Sequence, residues 1–175
     1  DSVTVNQNGV THVSWNWKGN GSGSTDTSGD IDAVVSANQA AGFSIITWTG
    51  DGGAHTTVPH GLGVAPEIIF EKYRSAAGLW YTWVTAIDGT NDYLTLDTTN
   101  AAGDAGASGT PTSQFFSNWG STSGKTNVAY AFASKPSFSK VGIYTGNGSA
   151  DGPFVNCGFK PAWLMIKNTS NAQDW

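Results

Sequence analysis

The chain has 175 residues, of which only 12% are charged, and its net charge is −5. Glycine and small polar residues replace the charged ones, and the eight tryptophans exclude an intrinsically disordered chain. Only eight residues are Lys or Arg, and no apolar run approaches the ~20 residues that cross a bilayer. We therefore expect neither nucleic acid nor a membrane as a partner.

Residues 1–41 contain one strand-like segment followed by a turn-rich stretch. HVSWNW (12–17) alternates apolar and polar side chains, which is typical of a half-buried strand. GNGSGSTDTSGD (19–30) predicts a flexible loop. We interpret residues 1–41 as the closing strand of a preceding unit and a Gly/Ser-rich connector.

Residues 42–135 have the pattern of one complete β unit. Their apolar residues alternate with a period of two, and glycine-rich turns separate short segments rich in aromatic and β-branched residues. A turn or two of helix is expected only near residues 100–107. Such short strands predict an all-β fold, an antiparallel, jelly-roll-like β-sandwich. The predicted strands are FSIITW (43–48), EIIFEKY (67–73), LWYTWVTAI (79–87), DYLTLD (92–97), SQFFSNW (113–119) and NVAYAF (127–132).

Residues 136–175 repeat the opening half of this unit. HVSWNW (12–17) likewise matches NVAYAF (127–132), and a one-residue slip brings Thr49 onto Thr145. We therefore interpret 136–175 as the first half of a next unit, and the chain as a window on a longer tandem array. At an offset of 95 residues, the identical pairs are Phe43/Phe138, Ser44/Ser139, Gly63/Gly158, Pro66/Pro161, Lys72/Lys167, Ser75/Ser170, Ala77/Ala172 and Trp80/Trp175.

If the repeat holds, residues 43–80 and 138–175 should superpose as the same set of strands. A half-unit cannot bury its own apolar face. We expect residues 136–175 to be covered by residues 10–17 of a neighbouring copy or by chain beyond Trp175.

The phrases FSIITWTGDG…VPHGLGVAPEIIFEK and FSKVGIYTGNGSADGPFVNCGFKPAWLMIKNTS resemble a repeated domain of unknown function. That domain occurs in tail-fibre-like virion proteins of marine bacteriophages, including cyanophages. The resemblance covers residues 12–175 and implies a virion surface protein, but it carries no catalytic residue across. The second copy departs from the pattern, because VNCG (155–158) stands where the first has HGLG (60–63).

No constellation of residues predicts catalysis or a cofactor. His60 is replaced by Val155 in the second copy, so we interpret it as part of a turn. Glu67 and Glu71, the only glutamates, are also not repeated, which argues against a glycosidase pair. Asp26, Asp30 and Asp32 could offer oxygen ligands to calcium, but no calcium-loop spacing is present, and we expect no metal.

The surplus of aromatic residues predicts a binding surface. Trp48 is opposite in parity to Phe43 and Ile45, so we expect it and Tyr81 to face outwards as a sugar platform. Asp51 and Asn91, in nearby turns, would bind the sugar hydroxyls. The alternative for the same aromatics is a protein interface.

We therefore expect a structural and adhesive bacteriophage virion protein: a tail fibre, spike or capsid decoration at the virion surface or outside the cell. It would form homo-oligomers, contact other virion proteins and bind host surface glycans. The alternatives are a secreted array of carbohydrate-binding modules attached to a polysaccharide-degrading enzyme, and a depolymerase with its active site between subunits.

Overall fold

The computed structural model describes residues 8–118 and 122–175. Residues 1–7 of the predicted first segment, and Trp119, lie outside this range. The described chain has ten strands and a single turn of 3-10 helix at Gly106–Ser108, which overlaps the end of the region where a short helix is expected. The strands are β1 (Ser24–Asp26), β2 (Ala33–Asn38), β3 (Phe43–Thr49), β4 (Thr56–Pro59), β5 (Ile68–Tyr73), β6 (Tyr81–Val84), β7 (Asp92–Thr95), β8 (Gly103–Asp104), β9 (Phe115–Asn118) and β10 (Thr126–Phe132).

Eight of these strands form one antiparallel sheet in the order β1-β2-β3-β10-β5-β6-β7-β8. The last strand, β10, lies between β3 and β5 and pairs with both, Phe132 opposite Phe43 on one side and Ile68 on the other. β4 and β9 form a separate antiparallel pair. The expected all-β antiparallel fold is confirmed, and its arrangement is sandwich-like.

The core lies between the large sheet and the β4–β9 pair. Ile46 and Trp48 of β3 pack there against Val58 of β4 and Phe116 of β9. The alanines of β10, Ala129 and Ala131, face the same layer and leave room for these larger side chains. We call this side of the sheet the inner face, and burial of its apolar area is the main stabilising contribution.

The opposite side of the large sheet, the outer face, is also aromatic. Phe43 and Phe132 lie side by side, with ring centroids 4.8 Å apart. Trp17 covers both, at 6.4 Å from Phe43 and 5.6 Å from Phe132, although no strand is assigned to its own segment. Trp80 stacks on Tyr130 at 6.3 Å. Both faces of the large sheet therefore carry aromatic side chains that pack against other parts of the chain.

Two strands lie within the expected connector, one of them in the stretch 19–30 that was predicted to be a flexible loop. β1 and β2 lie within residues 19–41, and β2 pairs with β3 over six positions from Ala33/Trp48 to Asn38/Phe43. Ala33 and Val35 belong to the core. AVVSAN is too short and too weakly alternating to stand out after a glycine-rich stretch, and its pairing with β3 decides its structure.

Residues 136–175 contain no strand, so the expected match with the strands of residues 43–80 is absent from this structure. A bridge between Lys135 and Ser139 is the only ladder contact assigned there. The turn chemistry does correspond, because Gly63 and Gly158 have φ of +72° and +77°. Strands need a ladder of backbone hydrogen bonds to a neighbouring strand, and residues 140–175 have no such ladder. The domain boundaries at 41/42 and 135/136 stay predictions.

We predict that Gly42→Ala destabilises the protein by about 1–2 kcal/mol more than the matched change Gly124→Ala. Both glycines have positive φ, +63° and +74°. An added Cβ at Gly42 would lie 2.4 Å from the carbonyl oxygen of Ala133, whereas at Gly124 it would meet nothing within 4 Å. Urea unfolding of the two variants measures the difference, and equal midpoints would contradict the close approach of this turn to β10.

None of the helices in the described ranges is long and apolar enough to cross a bilayer.

Candidate functional site

Trp48 is part of the core and does not face outwards. It is 4% exposed, and its ring makes a T-shaped contact with Phe116 at 5.5 Å. Its Nε1 is buried without a hydrogen-bond partner among the described residues. The expected exposure of Trp48 is therefore wrong. Parity showed correctly that Trp48 and Phe43 lie on opposite faces, but the β4–β9 pair covers the face that carries Trp48.

Tyr81 lies at the margin of an aromatic cluster on the same inner face, packed against the core. Its ring stacks on Trp83 at 5.5 Å with an interplanar angle of 15°, and Tyr93 closes the group edge-on, 5.9 Å from each. Trp83 is buried, whereas Tyr81 and Tyr93 are half-buried. We call Tyr81, Trp83 and Tyr93 the tyrosine–tryptophan cluster.

A buried carboxyl group supports this cluster from the neighbouring strand. Glu71 of β5 is directly opposite Tyr81, and its Oε2 accepts a hydrogen bond of 2.7 Å from Nε1 of Trp83. Burial raises the pKa of Glu71 to about 7, against the lowering effect of the Trp83 hydrogen bond. Burial also raises the pKa of Tyr81, and the neighbouring Tyr93, Tyr73, Glu71 and Asp97 add to the effect. The cluster is an aromatic surface with one titratable group beneath it.

Asn91 and Asp51 do not join Tyr81 in one site. Asn91 is buried, and its Nδ2 donates to Oγ of Ser108 at 2.9 Å, so it ties the β6–β7 turn to the 3-10 turn. Asp51 is exposed after β3, where its Oδ1 accepts from the backbone N of Gly53. Tyr81 is three strands away from Trp48 in the sheet, about 14 Å at the usual strand spacing. Of the four expected platform residues, Tyr81 is the half-exposed aromatic.

The sequence did contain a signal for the rest of the cluster. Tyr81 and Trp83 share a parity, which places them on one face. Glu71 and Tyr93 could be added only once the register of β5, β6 and β7 was known, because two long connections separate them in sequence. Cross-strand pairing assembles the cluster.

His60 holds two loops together. It is fully buried, its Nδ1 accepts from the backbone N of Leu62 at 3.2 Å, and its Nε2 lies 3.1 Å from the carbonyl oxygen of Thr112. These partners assign the proton to Nε2 of a neutral ring. Burial lowers the pKa of His60, although the Thr112 hydrogen bond and Asp26 oppose the shift. The geometry gives His60 the turn role that the sequence predicted.

Three of the acidic residues considered as metal ligands or catalytic groups, Asp26, Asp30 and Glu67, make structural hydrogen bonds. Asp30 Oδ2 accepts from both N and Oγ1 of Thr57, and these bonds hold its pKa below the ordinary value. Asp26 Oδ1 caps the turn at Ser28. Glu67 Oε2 accepts from the backbone N of Ser134. Within residues 8–118 and 122–175 no group of three or more His, Cys, Asp or Glu is arranged to hold a metal ion.

Two open hollows lie on the β1–β3 side of the molecule, away from the cluster. The larger, about 510 Å³, is lined mainly by polar groups that include Asn20, Asp26 and Gln39. The smaller, about 250 Å³, lies beside Trp48 and Arg74. The tyrosine–tryptophan cluster, with a half-exposed ring beside a buried carboxyl group, is the candidate site.

Comparison with known proteins places the chain in a family of unknown function. No curated protein matches it, and no solved structure matches its fold. A family model described as a domain of unknown function, DUF7483, matches residues 1–175. The match extends over the whole sequence, so the chain belongs to the DUF7483 family.

Proposed function

We propose that this chain is part of a structural and adhesive protein of a virion surface, a tail fibre, spike or capsid decoration, that binds glycans of the host cell. The observation that carries the proposal is the tyrosine–tryptophan cluster. It presents a half-exposed phenol ring on a rigid base of Trp83 and Tyr93. Aromatic rings stack on the apolar faces of sugars, and rigid rings lose little entropy on binding.

The surrounding chemistry fits a neutral glycan. The exposed Asp97 carboxylate accepts a hydrogen bond of 3.1 Å from Trp80 N next to Tyr81, whereas Glu71 and Thr95, which lie opposite Tyr81, are buried. A carboxylate near an aromatic ring can accept hydrogen bonds from sugar hydroxyls. The chain has few cations and a net charge of −5, so binding should depend little on salt.

The finer architecture belongs to the same proposal. We take the units to be jelly-roll-like and to recur in tandem, with residues 42–135 as one of them. Many weak sites on one particle would then act together, because a second binding event is intramolecular once the first has formed. The virion surface, outside the cell, is the place where such multivalent contact is useful.

We predict that Tyr81→Ala weakens glycan binding about 5- to 10-fold per site, since it removes a stacking contact of about 1 kcal/mol. Tyr81→Phe is the matched control and should bind within about threefold of the unchanged protein, because it keeps the ring on Trp83. The measurement uses protein displayed on beads, tested on a glycan array and on marine bacteria, cyanobacteria included. Equal binding by the Ala variant and the unchanged protein would remove the cluster from the proposal.

The same cluster also suits a carbohydrate-binding module of a secreted polysaccharide-degrading enzyme. The two functions predict different ligands, and only the first predicts that the protein is part of a virion. Binding to soluble storage or cell-wall polysaccharides, with no retention on whole cells, would favour the enzyme appendage. Detection of the protein in purified virions by mass spectrometry would favour the virion protein.

A further inference from the structure

Two segments of the chain have the side-chain pattern of strands but make no strand. Residues 10–17 expose Val13 (74%) and Trp15 (59%), and residues 138–166 expose large apolar side chains throughout. Exposed apolar rows of this size are uncommon on a protein that functions alone. The exposed residues of the second segment are Phe138, Ile143, Tyr144, Phe154, Val155, Trp163, Leu164 and Ile166.

The two segments correspond to three strands that are neighbours in the large sheet. Residues 12–17 match β10, at an offset of 115 residues, while 138–144 match β3 and 162–168 match β5, at an offset of 95. In the structure β10 lies between β3 and β5 and pairs with both. The missing partner of residues 138–144 and 162–168 is therefore a strand of the type of residues 12–17.

The register expected for this pairing follows from the observed register of β10 and β5. Phe132 of β10 is opposite Ile68 of β5, and the corresponding residues are Trp17 and Trp163. The rings of Trp17 and Trp163 are in contact in the structure, 5.6 Å apart at 80°. This contact is independent of the sequence match, because neither segment is in a strand. It brings the two segments together at one of the positions that the register pairs.

The rest of residues 10–17 does not pair with residues 138–144 and 162–168 of the same chain. Next to Trp17, Lys18 O accepts from Asn38 and Asn20 N donates to Ser36, which anchors the segment at β2. The end of the second segment is anchored instead at the connection between β7 and β8. There Ala102 N donates to Thr169 O, and Gln173 N donates to Thr99 O. Trp17 and Trp163 meet, while most of the apolar side chains in both rows stay exposed.

We infer that a second copy of this chain supplies the missing strand: residues 12–17 of one copy lie between residues 138–144 and 162–168 of the other. The donor segment, residues 12–17, and the acceptor segments, residues 138–144 and 162–168, meet at Trp17 and Trp163 in each copy. Two copies related by a two-fold axis therefore complete each other reciprocally. The added strand gains main-chain hydrogen bonds on both edges and buries both apolar rows. The inference rests on the proposed role as an assembling surface protein and names the contact by which it assembles.

Single-cysteine cross-linking tests the partner and the register together. Ala129 is opposite Ile46, so Ser14 of one copy should be opposite Val141 of the other. Antiparallel pairs have Cα separations that a disulfide can bridge. Ser14→Cys and Val141→Cys are made in separate chains that also carry Cys157→Ser, mixed, unfolded and refolded together, and oxidised. We expect a covalent heterodimer.

The matched control replaces Ser14→Cys by Val13→Cys, whose side chain points to the opposite face. It should give at least tenfold less heterodimer. No cross-link with Ser14→Cys, or equal cross-linking with both, overturns the inference. So does a chain carrying both Ser14→Cys and Val141→Cys that closes on itself as a monomer, because the occupant would then be the chain's own segment.

Sedimentation measures the contribution of the donor strand. Trp15→Ser and Trp17→Ser should each raise the dimer dissociation constant at least tenfold, as expected for central aromatic contacts. Phe154→Ser is the control for nonspecific association, since Phe154 is 92% exposed but lies outside the paired segments. An equal loss for Phe154→Ser, or a monomeric unchanged protein, contradicts the inference. A monomer that still binds cells would leave the adhesive function standing, and a cross-linked dimer that binds no glycan would leave the pairing standing.

Discussion

Replacing Glu71 by Gln is expected to stabilise the protein at pH 8 by up to about 3 kcal/mol and to leave it little changed below pH 4.5. The free energy scale follows from the pKa of Glu71, about 7 when folded against 4.5 as its ordinary value, at about 1.4 kcal/mol per unit. Gln keeps an oxygen that can accept from Trp83 Nε1 and carries no charge into the core.

The sign follows from which state holds the proton. The folded state keeps Glu71 protonated up to a higher pH than the unfolded state does. The stability it contributes is therefore fully present below pH 4.5 and is lost as the pH rises through about 7. His60 acts in the opposite direction, because its lowered pKa makes the protein less stable as the pH falls below 6.5. Because His60 is present in both proteins, its contribution cancels when the free energy of unfolding of the variant is compared with that of the unchanged protein.

Urea unfolding at a series of pH values between 4 and 8.5 measures this difference. Glu67→Gln is the matched control and should retain the pH dependence, because it leaves Glu71 unchanged and keeps an acceptor for Ser134. Trp83→Phe removes the hydrogen bond that lowers the pKa of Glu71, so it should move the transition to higher pH. A Glu71→Gln curve parallel to that of the unchanged protein would show that the pKa of Glu71 does not change on folding.

The second large effect is expected for Trp48→Ala, which should cost about 3–5 kcal/mol of stability and in a marginal domain abolish cooperative unfolding. Trp48 is buried against Phe116 at the centre of the contact between the large sheet and β9. Removing its ring takes away apolar burial and leaves a cavity beside the β4–β9 pair.

Two further variants separate the contribution of the buried ring from that of the indole N–H group. Trp48→Phe keeps most of the ring and removes an Nε1 that has no partner among the described residues, so it should cost less than half as much as Ala. Trp15→Ala, at an exposed tryptophan, should change stability by less than about 1 kcal/mol in dilute solution. Thermal unfolding followed by tryptophan fluorescence compares the three. Equal losses for Trp48→Ala and Trp15→Ala would contradict the core position of Trp48.

The local alternation of side chains by itself determined the fold class and the strands β3, β5, β6, β7, β9 and β10. Residues with a period of two can bury one face only as strands, and Phe43 and Trp48 were assigned correctly to opposite faces. The positive φ of Gly63 was likewise a local property of the turn.

Tertiary structure decided which face is covered and which strands meet. β2 and β4 carry weak local signals and are strands because β3 and β9 pair with them. Trp48 is buried because the β4–β9 pair lies on its side of the sheet, and no period in the sequence specifies that choice. Glu71 joins Trp83 only through the register of β5 and β6. Conversely, residues 138–144 and 162–168 have a strand pattern and no strand, because backbone hydrogen bonds in a sheet come from a neighbour and not from the segment itself.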